Sequence, residues 1–444
     1  MPYIPHTSEE EHLMLDAVGV SGIEELFRDI PDEFRPRSFD LPPGQSEMSV
    51  LSRIESLASK NRTDLTSFLG AGFYDHYIPA AGPALLARGE FLTAYTPYQP
   101  EASQGTLQAI FEYQTAVTRL LDLPYANASV YDGGTALYEA MMMAVRQTKK
   151  RRFVVSEGVN PIYRVMLGTY TRNLNLELVT VSHAQGRTDL EALEGALDGN
   201  TAGIIVQNPN FFGTVNDFTT LFATAAKFGV VTIMNVYPVL QAVMKTPGEM
   251  GADIAVAEGQ SLGLPLSFGG PYLGIMTTSA KLLRQMPGRM VGRTEDIDGR
   301  TGYVLTLQAR EQHIRREKAT SNICSNQSLC ALSALAYMAQ LGPEGLRRTA
   351  EVSMERAHQA ADRLTAIPGV CLMSDSPFGN EFAVRLPLSS FTVIDRLLGK
   401  GIIPGFPLGR YYAGLDDCLL VACTEKTTRE DIGILAERME GSLS

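Results

Sequence analysis

The feature that most constrains the fold of this chain is a regular alternation of apolar runs and helix-like stretches along its middle. Apolar runs of strand length lie at residues 153–156, 176–181, 202–206, 230–234, 254–257 and 273–276. Helix-like stretches precede or separate these runs at 106–121, 135–145, 162–170, 190–196 and 218–228. Strands that are apolar on both faces and alternate with helices predict an α/β domain, in which a mostly parallel sheet has helices on both faces.

The residues before this region have a different character. Two helix-like stretches, 9–18 and 49–58, are separated by breaks at Ile30-Pro31 and at the string DLPPG, 40–44. This punctuation predicts a helical N-terminal arm over residues 1–65. Such an arm either packs on its own domain or embraces a partner, and the sequence does not decide between the two.

The pattern changes again after about residue 308. Helices are predicted at 326–341 and 344–366, on either side of Gly342-Pro343. Short strands are then predicted at 370–373, 382–386 and 419–423, with helices at 393–398 and 430–439. The sequence therefore predicts a large α/β domain over 66–325 and a small C-terminal α+β domain over 326–444.

Composition and spacing exclude several classes of function. The net charge of −11 over 444 residues is opposite in sign to that of a nucleic-acid-binding protein. The five cysteines form no CxxC pair and the six histidines no HxxxH pair, so no metal site is expected. The acidic N-terminus does not resemble a signal peptide, and no apolar run reaches the roughly 20 residues of a membrane span. A soluble cytoplasmic protein is predicted.

Two glycines and a threonine open one of the predicted helices. The string YDGGTA at 131–136 places Gly133, Gly134 and Thr135 at a helix start. Free backbone N–H groups and the positive end of the helix dipole can hold an anion there. An ordinary glycine turn before a helix has the same residues, so the motif alone leaves both interpretations open.

With the string NPNFFG at 208–213 and the small C-terminal domain, this motif resembles the fold-type-I pyridoxal phosphate (PLP) enzymes. In that superfamily an aspartate at a strand end keeps the cofactor ring protonated, and a lysine after the next strand binds the cofactor covalently. This chain has Asn235 and Gln260 at those positions, and neither side chain has that chemistry. The nearest lysines, Lys245 and Lys281, lie before and after the expected position. The resemblance implies a degenerate PLP site formed by Gly133, Gly134, Thr135, Asn235 and Gln260.

Three long strings are similar to the glycine decarboxylase P-protein family: FLGAGFYDHYIP at 68–79, TAYTPYQPEASQG at 93–105 and HIRREKATSNICSN at 313–326. The resemblance is to the N-terminal half of the P-protein, a separate subunit in many bacteria, and covers essentially the whole chain. It implies an α2β2 heterotetramer in which PLP is held mainly by a lysine-bearing second P-protein subunit. It also implies decarboxylation of glycine and transfer of the aminomethyl group to the lipoyl arm of H-protein, an oxidoreductase reaction. The T-protein and L-protein would be the other components of the glycine cleavage system.

The string at 93–105 carries the side chains that such a subunit is expected to lend to its partner's active site. Pro97 and Pro100 stiffen a loop that is rich in polar and aromatic groups. Tyr95 and Tyr98 are candidates to flank the cofactor or line a lipoyl channel, and Glu101 is a candidate acid–base group. The residues expected near substrate or cofactor are Gln99, Ser103, Gln104 and Asn322. A structural proline-rich turn with solvated polar groups is the alternative.

His76 is the fourth catalytic candidate, because Asp75 beside it could fix its tautomer. A buried structural histidine is the alternative. Arg315, Arg316 and Lys318 either contact a phosphate or acidic partner or form a charged helix face.

Two other functions stay open at this point. A self-sufficient fold-type-I PLP enzyme would need a Schiff-base lysine, which Gln260 is not. A catalytically silent scaffold subunit would contribute no residue to any active site.

Overall fold

The computed structural model describes residues 6–36, 38, 40–92 and 95–443. The chain divides into two compact units, Met1–Thr63 and Asp64–Ser444. The α-helices of the described residues are α1 (Ser8–Val18), α2 (Glu47–Ala58), α3 (Ala81–Leu86), α4 (Gln104–Leu121), α5 (Gly133–Thr148), α6 (Pro161–Thr171), α7 (Leu190–Gly195), α8 (Thr219–Lys227), α9 (Pro247–Met250), α10 (Gln312–Arg315), α11 (Ser328–Thr365), α12 (Ser390–Leu398) and α13 (Arg429–Leu443). The strands are β1 (Thr66–Ser67), β2 (Tyr125–Ala126), β3 (Arg152–Ser156), β4 (Glu177–Val181), β5 (Thr201–Asn208), β6 (Val231–Val236), β7 (Ile254–Glu258), β8 (Gly274–Thr278), β9 (Met290–Glu295), β10 (Thr301–Thr306), β11 (Cys371–Leu372), β12 (Glu381–Arg385), β13 (Ile402–Ile403), β14 (Phe406–Pro407) and β15 (Cys418–Ala422).

The first unit contains α1 and α2, which confirm the two helices predicted there. A capping box starts α1: the Thr7 hydroxyl accepts from the Glu10 N–H at 3.2 Å, and the Glu10 carboxylate accepts from the Thr7 N–H at 2.7 Å. Gly19, with φ of +81°, ends the helix. None of the described residues of this unit is buried.

The second unit is built on a seven-stranded sheet with the order β2-β8-β7-β6-β5-β3-β4. Strands β3 to β7 are parallel, β8 runs antiparallel to β7, and β2 runs antiparallel to β8. The mostly parallel sheet is confirmed. Because parallel strands end at one edge of a sheet, the carboxyl ends of β5, β6 and β7 lie side by side, which is where sites form in such sheets.

Helices cover both faces of this sheet, and alternate strand residues pack into different clusters. Ile204 and Met234 join a cluster that includes side chains of α4, α8 and α11. Ile205 and Ile233 join the opposite cluster, with side chains of α5 and α6. The near-continuous apolar strands predicted from the sequence thus arise from burial on both faces.

The C-terminal part forms a small antiparallel sheet with the order β11-β12-β15-β14, against which α11, α12 and α13 pack. Helix α11 is broken at Gly342, with φ of +60°, next to Pro343, as predicted. The hairpin of β9 and β10 was not predicted. The domain boundaries at 65 and 325 stay predictions.

The segment after β1 crosses from the small domain to the large one. Phe68 packs among side chains of α12, α13 and β12, whereas Tyr74 packs in the cluster of α4 and the central sheet. The side chains of this segment therefore reach the carboxyl ends of the parallel strands.

Candidate functional site

Two places in the second unit carry the residues singled out from the sequence. One is the edge of the sheet where β5, β6 and β7 end, facing the start of α5. The other is the loop that leads into α4, of which residues 95–103 are described. Thr93 and Ala94, which begin the predicted string, lie outside the described residues.

The start of α5 has the geometry of an anion site, but side chains of this chain already use its N–H groups. Asp132 is the N-cap, and its carboxylate accepts from the Thr135 N–H at 2.8 Å and from the Thr135 hydroxyl at 2.8 Å. The Gly133 N–H donates to the Glu258 carboxylate at 2.9 Å. The anion at this helix start is therefore a pair of internal carboxylates.

Glu258 is the centre of this arrangement. Its other carboxylate oxygen accepts from the N–H groups of Gln260 at 3.0 Å and Leu273 at 3.1 Å. Burial raises the pKa of Glu258 to about 7, although the three backbone donors lower it. A side-chain Cβ at Gly133 would lie 2.8 Å from the Glu258 backbone nitrogen, so glycine is required for this close approach.

Gln260 is buried and serves as a structural brace. Its amide oxygen accepts from the Tyr74 N–H at 2.9 Å, and its amide nitrogen donates to the carbonyls of Tyr74 at 3.0 Å and Leu264 at 2.8 Å. Asn235 is also buried and donates to the Gln207 side chain at 2.9 Å. Both of these amide side chains hydrogen-bond within their own chain, although the Asn235 Oδ1 atom has no partner among the described residues.

The cavity between these residues is far too small for PLP. It encloses about 30 Å³ and is lined by Tyr74, Tyr163, Asn235, Tyr237, Glu258 and Glu381 among others. Sites for small-molecule ligands are typically at least 300 Å³. The two lysines nearest in sequence point elsewhere, since Lys245 pairs with Asp217 at 3.0 Å and Lys281 with Asp253 at 2.5 Å. The residues of this pocket do not fit the cofactor.

Tyr74 and a second buried acid, Glu381, close the pocket from the small-domain side. The Glu381 carboxylate accepts from the Ala71 N–H at 2.6 Å and from the Tyr74 hydroxyl at 2.9 Å. Burial raises the pKa of Glu381 to about 7, and these two hydrogen bonds lower it.

His76 is buried, with a side chain 2% exposed. One ring nitrogen lies 2.6 Å from the Glu425 carboxylate, and the other contacts the Tyr237 hydroxyl. Burial raises the pKa of Glu425, but the bonds from His76 and the Tyr77 N–H outweigh it and the pKa is lowered. The partner of His76 is therefore Glu425 and not Asp75, which pairs with Lys426 at 2.5 Å.

The loop before α4 is open to solvent in this chain. Tyr95 is 84% exposed and Tyr98 48% exposed. Glu101 and Gln99 are exposed, while Ser103 is partly buried. The loop therefore presents aromatic, amide and acidic side chains to solvent.

Gln104 is the anchor of this loop. Its amide nitrogen donates to the carbonyls of Pro100 at 2.7 Å and Tyr303 at 2.9 Å. Its amide oxygen accepts from the Tyr303 N–H at 2.9 Å, which fixes the loop to β10. Gln104, expected near the substrate, thus has a structural task in this chain.

The string at 313–326 lies beside the same loop. The rings of Tyr98 and His313 make an edge contact with centroids 5.5 Å apart. Asn322 is exposed, as are Arg315, Arg316 and Lys318.

The described residues contain no group of His, Cys, Asp and Glu side chains that could hold a metal ion. Within the same residues, no helix is long and apolar enough to span a membrane.

A family model for the glycine cleavage system P-protein matches residues 1–439. The chain belongs to this P-protein family. It is 67% identical to a probable glycine dehydrogenase (decarboxylating) subunit 1 of Maridesulfovibrio salexigens, over 443 residues that cover 100% of both chains. A protein of the same description from Geotalea uraniireducens is 52% identical, also over 100% of both chains.

Solved structures agree with this family membership. A crystal structure of glycine decarboxylase (P-protein) of the glycine cleavage system, in inhibitor-bound form, matches with a TM-score of 0.93. It is 44% identical and 100% of both chains are covered. A glutamate decarboxylase of Lactobacillus brevis, 15% identical with a TM-score of 0.68 over 94% of this chain and 97% of that chain, shares the fold alone. The predicted P-protein family and the predicted fold-type-I α/β class with a small C-terminal domain are confirmed.

Several residues that shape this P-protein subunit were not found from its sequence. Glu258 fills the anion site, Glu425 holds His76, and Arg289 lies under Tyr98. Glu258 had one usable signal, since a carboxylate directly after the apolar run 254–257 is unusual for a buried strand. Glu425 and Arg289 had none, because their partners lie far away along the chain.

Proposed function

We propose that this P-protein subunit does not hold the cofactor, and that it completes the active site of a lysine-bearing second subunit in an α2β2 glycine dehydrogenase (decarboxylating). The observation that carries the proposal is the closed pocket at the ends of β5, β6 and β7. A chain with Glu258 on its helix start and Gln260 in place of a lysine has neither the space nor the amine that PLP needs.

The reaction assigned to the assembled enzyme is the decarboxylation of glycine, followed by transfer of the aminomethyl group to the disulfide of the lipoyl arm of H-protein. This is oxidoreductase chemistry, and PLP on the second subunit would supply the electron sink. The location proposed for the complex is the cytoplasm, as predicted from the sequence.

The exposed loop at 95–103 is the part of this chain that we assign to the shared site. Tyr95 and Tyr98 would form an aromatic wall, and Glu101 would hold or release a proton at its carboxylate. Gln99, Ser103 and Asn322 would contact substrate or cofactor. These side chains are open to solvent or only partly buried in the single chain, so another subunit can cover them.

His76 has a different role in this proposal. With both ring nitrogens bonded inside its own chain, it is a positioning residue that orders the segment between Gly70 and Tyr77. It would act on the shared site through Tyr77, which is 64% exposed and whose N–H donates to Glu425 at 2.6 Å.

Glycine–bicarbonate exchange with lipoylated H-protein tests this proposal. It should be measured for this chain alone, for the second subunit alone and for the mixture. We expect exchange only in the mixture, at a rate that saturates at a one-to-one ratio of subunits. Exchange by this chain alone would contradict the proposal and favour a self-sufficient PLP enzyme.

A silent scaffold is distinguished by substitutions in the loop. If the subunit is only a scaffold, mixtures of the second subunit with the variants Tyr95→Ala or Glu101→Gln catalyse glycine–bicarbonate exchange at the wild-type rate. If the loop completes the site, both variants lose exchange while assembling normally, which size-exclusion chromatography measures.

A further inference from the structure

A buried arginine lies beneath the half-exposed Tyr98. Arg289 is 4% exposed, and its guanidinium carbon lies 5.6 Å from the centroid of the Tyr98 ring. One guanidinium nitrogen donates to the Tyr98 hydroxyl at 3.3 Å. The same side chain therefore contacts both the face and the oxygen of this tyrosine, which fixes the direction of the phenol.

Arg289 is held in place by a second segment of the chain. Its guanidinium donates to the Cys324 carbonyl at 3.0 Å and to the Asn326 side chain at 3.3 Å. Asn326 in turn donates to the Ala128 carbonyl at 2.8 Å, and the Ala128 N–H donates to the Arg289 carbonyl at 2.8 Å. The guanidinium is thus held in place by the segment at Cys324 and Asn326, which is itself bonded to Ala128.

The positive charge of Arg289 is not balanced by a carboxylate in the part of the chain that the structure describes. Among the described residues no carboxylate forms an ion pair with it, and its Nε atom is buried without a hydrogen-bond acceptor. A buried cation is costly unless it is compensated, so its position needs a reason beyond local stability. The compensation present comes from the Tyr98 ring and from carbonyl, phenol and amide oxygens.

We propose that Arg289 is a positioning residue that holds the Tyr98 phenol in its working orientation in the shared active site. The inference rests on the proposed function, because it requires Tyr98 to belong to that site. It joins two strings singled out from the sequence, 93–105 and 313–326, through a residue that lies in neither. Lysine is a poor replacement for arginine here, because its compact ammonium lacks the planar fork whose separate nitrogens donate to the Tyr98 hydroxyl, the Cys324 carbonyl and the Asn326 side chain.

The experiment is a double-mutant cycle in the enzyme assembled with the second subunit. Its variants are Arg289→Lys, Tyr98→Ala and the double variant, with Arg293→Lys as the matched control on the exposed part of β9. The values measured are kcat and KM for glycine in the bicarbonate exchange reaction, together with the melting temperature of each chain.

We expect Arg289→Lys to lower kcat/KM at least about tenfold, since a 1 Å misplacement of an active-site group can cost roughly 100-fold. Tyr98→Ala should cost at least as much, and the double variant should cost no more than Tyr98→Ala alone. Arg293→Lys should change nothing. Hydrogen exchange of the peptide over 95–104 should be faster in Arg289→Lys, a readout that stays available if that variant assembles poorly.

The possible failures separate the two ideas. If Tyr98→Ala lowers exchange and the effect of Arg289→Lys adds to it in full, Arg289 does not act through Tyr98, while the shared site stands. If Tyr98→Ala exchanges at the wild-type rate, Tyr98 is outside the site, and both its proposed role and the positioning by Arg289 are wrong. If the rate of amide hydrogen exchange in the 95–104 peptide is the same in Arg289→Lys as in the wild type, the positioning proposal is also wrong.

Discussion

The pocket at the ends of β5, β6 and β7 and the loop before α4 differ in almost every physical respect. The pocket is buried: Glu258 accepts from three backbone N–H groups and the Gln260 side chain makes three hydrogen bonds to its own chain, whereas the Asn235 Oδ1 atom has no hydrogen-bond partner among the described residues. The loop exposes Tyr95, Tyr98 and Glu101 to solvent over a rigid support. Within one chain, the strand ends that a PLP fold would use for chemistry are filled by internal contacts, and the exposed loop carries the aromatic and acidic side chains that we propose for the shared site.

At the start of α5, carboxylates of this chain lie where a bound anion lies at such a helix start. Buried backbone N–H groups at a helix start need acceptors, and here the acceptors come from the chain itself. The carboxylate of Glu258 is one of these acceptors. The surface loop is under no such constraint, because water can satisfy its exposed polar groups.

The largest effect is expected from Glu258→Ala, which removes the acceptor for three buried N–H groups. We expect the free energy of unfolding to fall by about 4 kcal/mol, measured by urea denaturation of the free subunit. Glu295→Ala, an exposed glutamate on β9, is the matched control and should be neutral. A loss no larger than that of the control would mean that Glu258 does not fill the anion site.

Glu101→Gln tests the other side of the comparison. If Glu101 is an acid–base group of the shared site, exchange by the assembled enzyme falls about 100-fold, the lower range for such catalysis. The melting temperature of the chain should not change, because Glu101 is exposed. Glu112→Gln, an exposed glutamate on α4, should exchange normally. Equal rates for both variants would remove Glu101 from the site.

Glu381→Gln sharpens the description of the pocket. The folded chain keeps this acid neutral up to about pH 7, whereas its ordinary pKa is 4.5, so stability is lost as pH rises through this window. The amide can accept from the Ala71 N–H and donate to the Tyr74 oxygen, so it fits the same place. We expect Glu381→Gln to stabilise the chain by about 2 kcal/mol at pH 8 and little at pH 5.

The control for this prediction is Glu437→Gln, an exposed glutamate on α13, which should change the stability at neither pH. A Glu381→Gln variant that is equally affected at pH 5 and pH 8 would show that this carboxyl ionises normally in the folded chain.

Gln260→Lys is expected to have no effect on cofactor binding. A lysine restores the amine, but the cavity of about 30 Å³ and the carboxylate of Glu258 still exclude PLP. The free variant incubated with PLP should therefore show no absorbance in the visible band of a protein-bound imine. Appearance of that band would mean that the pocket opens, and the contrast between pocket and loop would be lost.

Local patterns were sufficient for the fold. The alternation of apolar runs and helices follows from burial on both faces of β5, β6 and β7, and the break of α11 at Gly342-Pro343 follows from backbone geometry. The hairpin of β9 and β10 was missed because β10 is only half-buried and lacks a clear alternation.

The site was predictable only in part. Asn235 lies near the end of β6 and Gln260 follows β7, the strand ends at which the sequence placed them; their correspondence to the PLP aspartate and lysine stays a prediction. Other site contacts join residues that lie far apart in the sequence. His76 contacts Glu425, and Gln104 hydrogen-bonds to Tyr303. The prediction that Asp75 fixes the tautomer of His76 was wrong, because Asp75 pairs with Lys426 and His76 with Glu425.

The most direct test of the account is to locate the cofactor in the assembled enzyme. The complex of this chain and its second subunit should be loaded with PLP, reduced with borohydride to fix the cofactor to the lysine that holds it, and analysed by peptide mass spectrometry. We expect pyridoxyl-lysine only in peptides of the second subunit. A stoichiometric pyridoxyl group on a lysine of this chain would contradict the closed pocket and with it the division of labour between the two subunits.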